Sequence, residues 1–377
     1  MINFKLYISL LFSIALLISC GGGGGGGGSS TSSNPSNPSN PTFSVYTIDS
    51  NGEVGEYTSV ATGSVHISYY DATNSNLKYA VCSSDCTELT NWSTEPADIS
   101  TDVGEYSSIT VDASDKAHIS YYDYNNFTLR YATNASGAWV IETPDSSLDD
   151  VGSYSSIALD SSENVHISYY DWDNMNLKYA TNASGAWIVE DTIDTSGNDV
   201  GMFSSIAVDG ADKIHIVYVE YSGGSGSVKY ATNATGSWVV ETPDISGNDM
   251  GDNVSLVVES NGTAHISYYD LDNATLKYAT NAAGAWAVET PDTSGDDVGD
   301  YSSIALDSNN KIHISYYDWD NLDLKYATNA SDSWVVDTID SADDVGMYSS
   351  IAIDNADNRI HISYYDYTNK NLKYAVK

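Results

Sequence analysis

From residue 43 onward, apolar and polar positions alternate in short runs that come four to a unit, and the unit recurs seven times. In the third unit the runs are Tyr154 to Asp160, Val165 to Asp171, Leu177 to Thr181 and Trp187 to Asp191. Each is rich in β-branched and aromatic residues, and each is bounded by turn formers such as Ser-Ser-Glu-Asn, Asp-Trp-Asp-Asn and Asn-Ala-Ser-Gly. No window holds a helical period over three turns, so the predicted class is all-β.

All seven histidines fall in one context, HISYYD or a near variant, at His66, His118, His166, His215, His265, His313 and His361. Four strands at a spacing of 48 to 52 residues fit a propeller blade better than a solenoid turn, which is shorter and needs atypical capping repeats. The ends support this reading. Phe43 to Asp49 matches the fourth strand of a unit, as in Trp334 to Asp340, whereas the last unit stops after its third strand, near Val376. The expectation is a seven-bladed β-propeller over residues 43–377, closed when strand 43–49 completes the last blade and removes the exposed edges. One histidine per blade implies a packing and hydrogen-bonding role for each. The acids that close the YYD runs are expected to cap hairpins. Blade four departs most, with Tyr218-Val-Glu220-Tyr-Ser-Gly-Gly in place of the usual hairpin.

Residues 1–19 read as an export signal: Lys5, an apolar stretch from Leu6 to Ile18 that is short for a spanning helix, then Ser19 ahead of a cysteine. Residues 20–42 contain eight glycines, a Ser/Thr run and Asn-Pro pairs, a composition suited to a flexible tether. The tetrapeptide Leu17-Ile18-Ser19-Cys20 resembles the lipobox of bacterial lipoproteins. That resemblance implies a lipid-modified Cys20 and, with Gly21 rather than Asp following, an anchor in the outer membrane of a bacterial cell envelope. The other two cysteines, Cys82 and Cys86, lie in the segment CSSDC and are predicted to form a disulfide in an oxidising compartment. A zinc site would need a second cysteine pair or a nearby histidine.

The formal charge of −38 excludes nucleic acid and an anionic membrane face as partners. Most of the 52 acidic residues fall in connections that open on one face of a propeller, the fourth-to-first loops and the second-to-third hairpins. Lys116, Lys213, Lys311 and Arg359 fall in turns of the opposite face, which predicts a polarised disc. Calcium is the candidate cofactor, with Asp171 and Asp173, Asp270 and Asp272, and Asp318 and Asp320 as candidate ligands; each hairpin supplies few of the six or more oxygens that calcium takes. Candidate ligand-binding aromatics follow the YYD motif on the acidic face, at Tyr124, Trp172, Tyr221, Trp319 and Tyr367. A second set, Tyr57, Tyr106, Tyr154, Tyr301 and Tyr348, is expected near the channel mouth, with Glu56, Glu105, Asp252 and Asp300 just before the ring position. Aromatic faces beside carboxylates and amides suit sugars.

The stretch Asn182-Ala-Ser-Gly-Ala-Trp187 and its copies at Trp139, Trp238, Trp286 and Trp334 resemble the Asp-box hairpin of sialidase-like propellers. The Trp is present throughout and the Gly in all but the copy at Trp334, where Asp332 replaces it, but the Asp and the Thr before Trp of the family pattern are not. The resemblance implies a Trp-led fourth strand on the outside. That family grips its substrate with three arginines, whereas this chain has two, Arg130 and Arg359. The expectation is therefore a lipid-anchored, non-catalytic binding or scaffolding module for a glycan, an envelope or extracellular protein, or a cation-bridged ligand. A polysaccharide hydrolase or lyase is the alternative, and it requires one asymmetric cleft with a carboxylate whose pKa is raised by burial. A purely structural envelope protein is the third reading.

Overall fold

The computed structural model describes residues 42–377 apart from residue 252. The export signal, Cys20 and nearly all of the tether lie outside the described residues. Seven sheets, each of four antiparallel strands, stand in a ring, as the repeat predicts. Blade one shows the plan, with an inner strand Val54–Ala61, then Val65–Asp71, Asn76–Cys82 and an outer strand Trp92–Asp98. Strand Ser44–Asp49 pairs antiparallel with Asn371–Val376 and supplies the outer edge of blade seven, so the ring closes as expected. Cys82 and Cys86 form the predicted disulfide, with their Cα atoms 5.8 Å apart.

The second strands are buried from end to end because each is covered by neighbours within its sheet and by blades on both sides. Between them pack Val, Ile, Leu, Tyr and Ala side chains, one apolar cluster for each gap between blades. The glycine of the repeated Val-Gly pair has a left-handed φ near 112° to 125° in every blade, at Gly55, Gly104, Gly152, Gly201, Gly251, Gly299 and Gly346. In six of the seven, an added Cβ would lie 2.5 to 2.8 Å from the backbone of the leucine on the preceding blade's third strand. Only glycine allows the two blades to approach so closely.

Polar groups between the blades are paired in repeating sets. A serine of each inner strand, Ser59 in blade one, accepts the N–H of the next blade's inner strand; there are seven such bonds of 3.1 to 3.3 Å around the whole ring. Farther out, the first tyrosine of each YYD or equivalent run donates to an aspartate at the end of the preceding blade, at 2.6 to 2.8 Å. Lys178 joins this pair at Asp145 and Lys325 joins it at Asp292. Burial alone would raise the Asp145 carboxyl, but bonds from Lys178, the Ser147 N–H and Tyr169 hold it below the usual range.

The histidines have the per-blade role expected of them. Each Nδ1 lies 2.5 to 2.6 Å from a tyrosine hydroxyl of the third strand. Most Nε2 atoms face a carboxylate, as His265 faces Glu259 at 3.1 Å. Burial lowers the histidine pKa values, that of His361 to about 4 with help from Arg359. At the rim, Trp139, Trp187, Trp238, Trp286 and Trp334 each donate to a glutamate of the preceding blade at 2.6 to 2.9 Å.

The tyrosine-to-aspartate set can be tested at one interface. Tyr169→Phe leaves a buried carboxylate short of one donor, so it should lower stability by about 1–2 kcal/mol. The measurement is the urea midpoint, which should fall with the slope of the transition unchanged.

Candidate functional site

The inner strands bulge on the acid-rich face, because two residues of each oppose one on the second strand between Glu56 and Ser59 and at equivalent points. The bulge puts Tyr57, Tyr106, Tyr154, Phe203, Asn253, Tyr301 and Tyr348 in the left-handed region, with φ between 49° and 56°. Bulky residues adopt this conformation only when their surroundings enforce it. What enforces it is a ring of side chains about the propeller axis. From Tyr301 through Tyr348, Tyr57, Tyr106 and Tyr154 to Phe203, successive centroids are 4.5 to 4.9 Å apart, with planes inclined by 47° to 58°. Rings so close pack tilted against one another, like the vanes of a pinwheel. Asn253 interrupts the series. The vanes and the inner-strand serines line an axial cavity of about 210 Å³.

The two sets of aromatic residues read from the sequence meet through a residue type not singled out there, the second tyrosine of the YYD run. Tyr106 touches Tyr122, which touches Tyr124; Tyr154 touches Tyr170, then Trp172. Tyr301 continues to Tyr317 and Trp319, and Tyr348 to Tyr365 and Tyr367. Four aromatic spokes thus run from the axis to the acid-rich hairpins. Tyr124 and Tyr367 are exposed at the tips. Tyr221 lies outside this set, because blade four replaces the second tyrosine with Val219 and turns tightly through Gly223 and Gly224.

The hairpin aspartates proposed for calcium are engaged in turn formation. Asp171 accepts from the Asn174 backbone and side chain at 2.9 and 3.0 Å, and Asp270 and Asp318 do the same with Asn273 and Asn321. Asp173, Asp272 and Asp320 accept the N–H groups of Asp150, Asp249 and Asp297 at 3.0 to 3.1 Å. Among the described residues, no group of three or more His, Cys, Asp and Glu side chains is arranged to hold a metal.

Sevenfold repetition fails in the row just before the vanes. Its occupants are Glu56, Glu105, Ser153, Met202, Asp300 and Met347, with residue 252 not described. In blade six, Asp300 accepts from Asn253 of the preceding blade at 2.6 Å and from the indole of Trp319 at 3.1 Å. Among the described residues, none gives the Glu105 carboxyl a hydrogen bond or an ion pair. Burial, with the nearby charges of Asp102 and Glu56 adding to it, pushes its carboxyl up to about 7. Burial and the nearby charge of Glu53 also raise Glu56, against the Lys370 cation and a hydrogen bond from the Tyr365 hydroxyl, which lower it. Tyr70 lies beside this pair. Its counterparts Tyr122, Tyr170, Tyr269 and Tyr317 each donate to a carboxylate of the next blade at 2.5 to 2.7 Å, whereas Tyr70 makes no such bond. In blade three, Ser153 is fully buried and its hydroxyl has no partner. The sequence signal for this site is the break in the row, where Glu, Glu and Ser precede otherwise similar Tyr-Ser/Thr-Ser triplets.

No protein-family model and no curated protein matches the sequence. Several solved structures share the fold. One is a PL25 polysaccharide lyase, an ulvan lyase bound to -[GlcA(1-4)Rha3S]-, with a TM-score of 0.63 and 12% identity over 87% of this chain and 94% of that one. A triple arginine-to-alanine mutant of AofleA from Arthrobotrys oligospora gives 0.51 and 16% identity over 80% and 90%. The lectin of Aleuria aurantia with α-methyl-L-fucoside is more distant, at 0.45 and 12% over 71% and 92%. The first of these corrects one expectation. Absence of a sialidase-type arginine triad was the ground for reading the chain as non-catalytic, and a polysaccharide lyase on the same ring architecture removes that ground.

Glu105 holds its proton more tightly in the folded chain than in the unfolded one. Its stabilising contribution is complete below about pH 4.5 and is lost as pH rises through about 7. Glu105→Gln should therefore change stability little near pH 5 and raise it by roughly 1–3 kcal/mol near pH 8. Urea midpoints of the two proteins across that range provide the check; a constant difference would show that Glu105 is paired.

Proposed function

We propose that this protein engages a polysaccharide segment on its acid-rich face, with the aromatic spokes stacking on pyranose rings and the axial cavity receiving one sugar. The observation that carries this reading is the continuity of the spokes, aromatic tracks from the hairpins, where Tyr124 and Tyr367 are exposed, to a cavity lined by hydroxyls. A pyranose offers an apolar C–H face to a ring and hydroxyls to Asp, Asn, Ser and Tyr, and both kinds of surface alternate here. The lyase neighbour supports glycan chemistry on this architecture. In the same proposal, the signal in residues 1–19 exports the chain and lipid on Cys20 tethers it at the bacterial outer membrane. The Cys82–Cys86 disulfide supports an oxidising compartment. A net charge of −38 disfavours polyanionic glycans and favours neutral or cationic ones.

The test is a panel of neutral, anionic and amino polysaccharides incubated with the protein, followed both by retention and by chain length. Retention of neutral or amino polymers is expected, and Trp172→Ala should weaken it about tenfold or more, the loss of one stacking contact of 1–3 kcal/mol. Shortened chains would add turnover to binding. A panel in which no polymer is retained or shortened would sink the proposal.

A further inference from the structure

The axial cavity is lined by three residues of each inner strand, Tyr57 to Ser59 in blade one and their counterparts around the ring, and every lining side chain is uncharged. A cavity of about 150 Å³ accepts a benzene molecule. The space of about 210 Å³ here therefore accepts one six-membered ring with its substituents, and not two.

Two tiers of hydroxyls face this space, and they differ in the bonding left to them. In the first tier, Ser107 donates to the Tyr57 carbonyl at 2.8 Å and shares a bond with Ser68 of the second strand. Ser155, Ser204, Ser302 and Ser349 repeat that arrangement, so these hydroxyls are satisfied within the protein. In the second tier, Ser59 and its six counterparts each accept the N–H of a neighbouring inner strand. Among the described residues, none accepts the hydrogen of these seven hydroxyls, and all seven are only half-buried where they line the cavity. A hydroxyl whose oxygen already accepts a bond still has a hydrogen to give, so the second tier offers the axis a ring of donors. A neutral sugar meets it well, because its hydroxyl, ring and glycosidic oxygens have more lone pairs than hydrogens. An ammonium group, which only donates, meets competing donors and no carboxylate.

The walls and the mouth set how a chain can reach the cavity. The bonds from second-tier serines to the next strand run unbroken around the ring, which leaves no exit between blades. At the mouth the aromatic vanes are contiguous from Tyr301 through Tyr57 to Phe203. The seventh place is held by Asn253, whose amide donates to Asp300 of blade six at 2.6 Å. The collar thus has one gap, between Phe203 and Tyr301. An interior sugar of a polymer has two glycosidic links and needs two ways out, whereas a terminal sugar needs one.

We propose that the cavity takes the uncharged terminal sugar of a glycan chain, with the link to the next sugar leaving over Asn253, so that the protein recognises chain ends rather than chain interiors. The identification of a sugar rests on the glycan reading above; the preference for an end rests on the cavity and its collar. Four spokes lead to a space that holds one sugar, so one chain end is engaged per protein.

The experiment measures retention of the full-length protein on β-glucan, galactan and mannan, each intact and after partial acid hydrolysis, at equal mass. Hydrolysis multiplies the ends without changing the sugar. Binding per unit mass should rise in proportion to the ends, about tenfold for chains cut to a tenth of their length. Glucosamine oligomers should compete about tenfold or more weakly than the neutral oligomers that hydrolysis releases. Asn253→Tyr installs the residue that five other blades have at this place, and a urea midpoint close to that of the native chain confirms its fold. It closes the collar and should abolish the gain from hydrolysis. Binding that is independent of chain ends, or a gain that survives Asn253→Tyr, would overturn the inference and leave the glycan reading in place. Equal competition by glucosamine oligomers would overturn the uncharged terminus. Failure of the glycan reading itself is distinct, since no polymer would then be retained, intact or cut.

Discussion

The close approach of one blade's inner strand to the next is the constraint on which the ring depends. It needs a glycine with a left-handed φ, because a methyl group at Gly152 would meet the Leu129 backbone at 2.6 Å. It also needs the serine oxygen that takes up the N–H of the neighbouring strand, as Ser108 takes that of Ile157 at 3.3 Å. An inner strand shifted outward would leave these N–H groups buried and unpaired, at a cost of about 1–3 kcal/mol each. With seven such joints the ring closes only if the angles between blades together make a full turn. The near identity of the Val-Gly-x-Tyr-Ser-Ser-Ile segments thus has a geometric reason. Blade five, whose inner strand is shortened to Ser255–Val258, still keeps Ser205 to Leu256 and Ser255 to Ile304.

How much could be read from the sequence depended on how local the cause was. Strand alternation and turn residues act over a few positions, so blade number, strand order and ring closure by Ser44–Asp49 were all legible. The disulfide was legible because Cys82 and Cys86 are four apart in a turn-forming segment. The left-handed tyrosines were not. Tyr154 reads as an ordinary strand residue, and only the bulge opposite Tyr169 turns it toward its neighbours. The spokes depend on Tyr170 lying between Tyr154 and Trp172, a meeting of the inner strand with the end of the second strand and its turn. Glu105 was visible as one acid among many. Its raised pKa is a property of what surrounds it: Tyr122 on its own blade turns to Asp150 of the following one, and the nearby charges, Asp102 and Glu56, are negative.

The same contrast separates structural residues from functional ones. A side chain repeated seven times with the same partner, such as the histidine on its tyrosine hydroxyl, is explained by the blade itself. So are the hairpin aspartates, whose oxygens are filled by Asn and backbone donors from the same turn. Groups without a blade-level explanation lie in the row before the vanes, where Glu, Ser, Met and Asp occupy equivalent positions.

Charge distribution sharpens that distinction. The chain has 14 Lys and Arg residues for 52 acids, and several of the lysines are drawn inward onto buried aspartates, as Lys178 is onto both Asp145 and Asp171. A cation placed there stabilises an interface between blades but is withdrawn from the surface field. The acid-rich face therefore keeps its negative potential, and low-dielectric aromatic walls strengthen it toward the axis. Such a field repels anions and attracts cationic groups at this face.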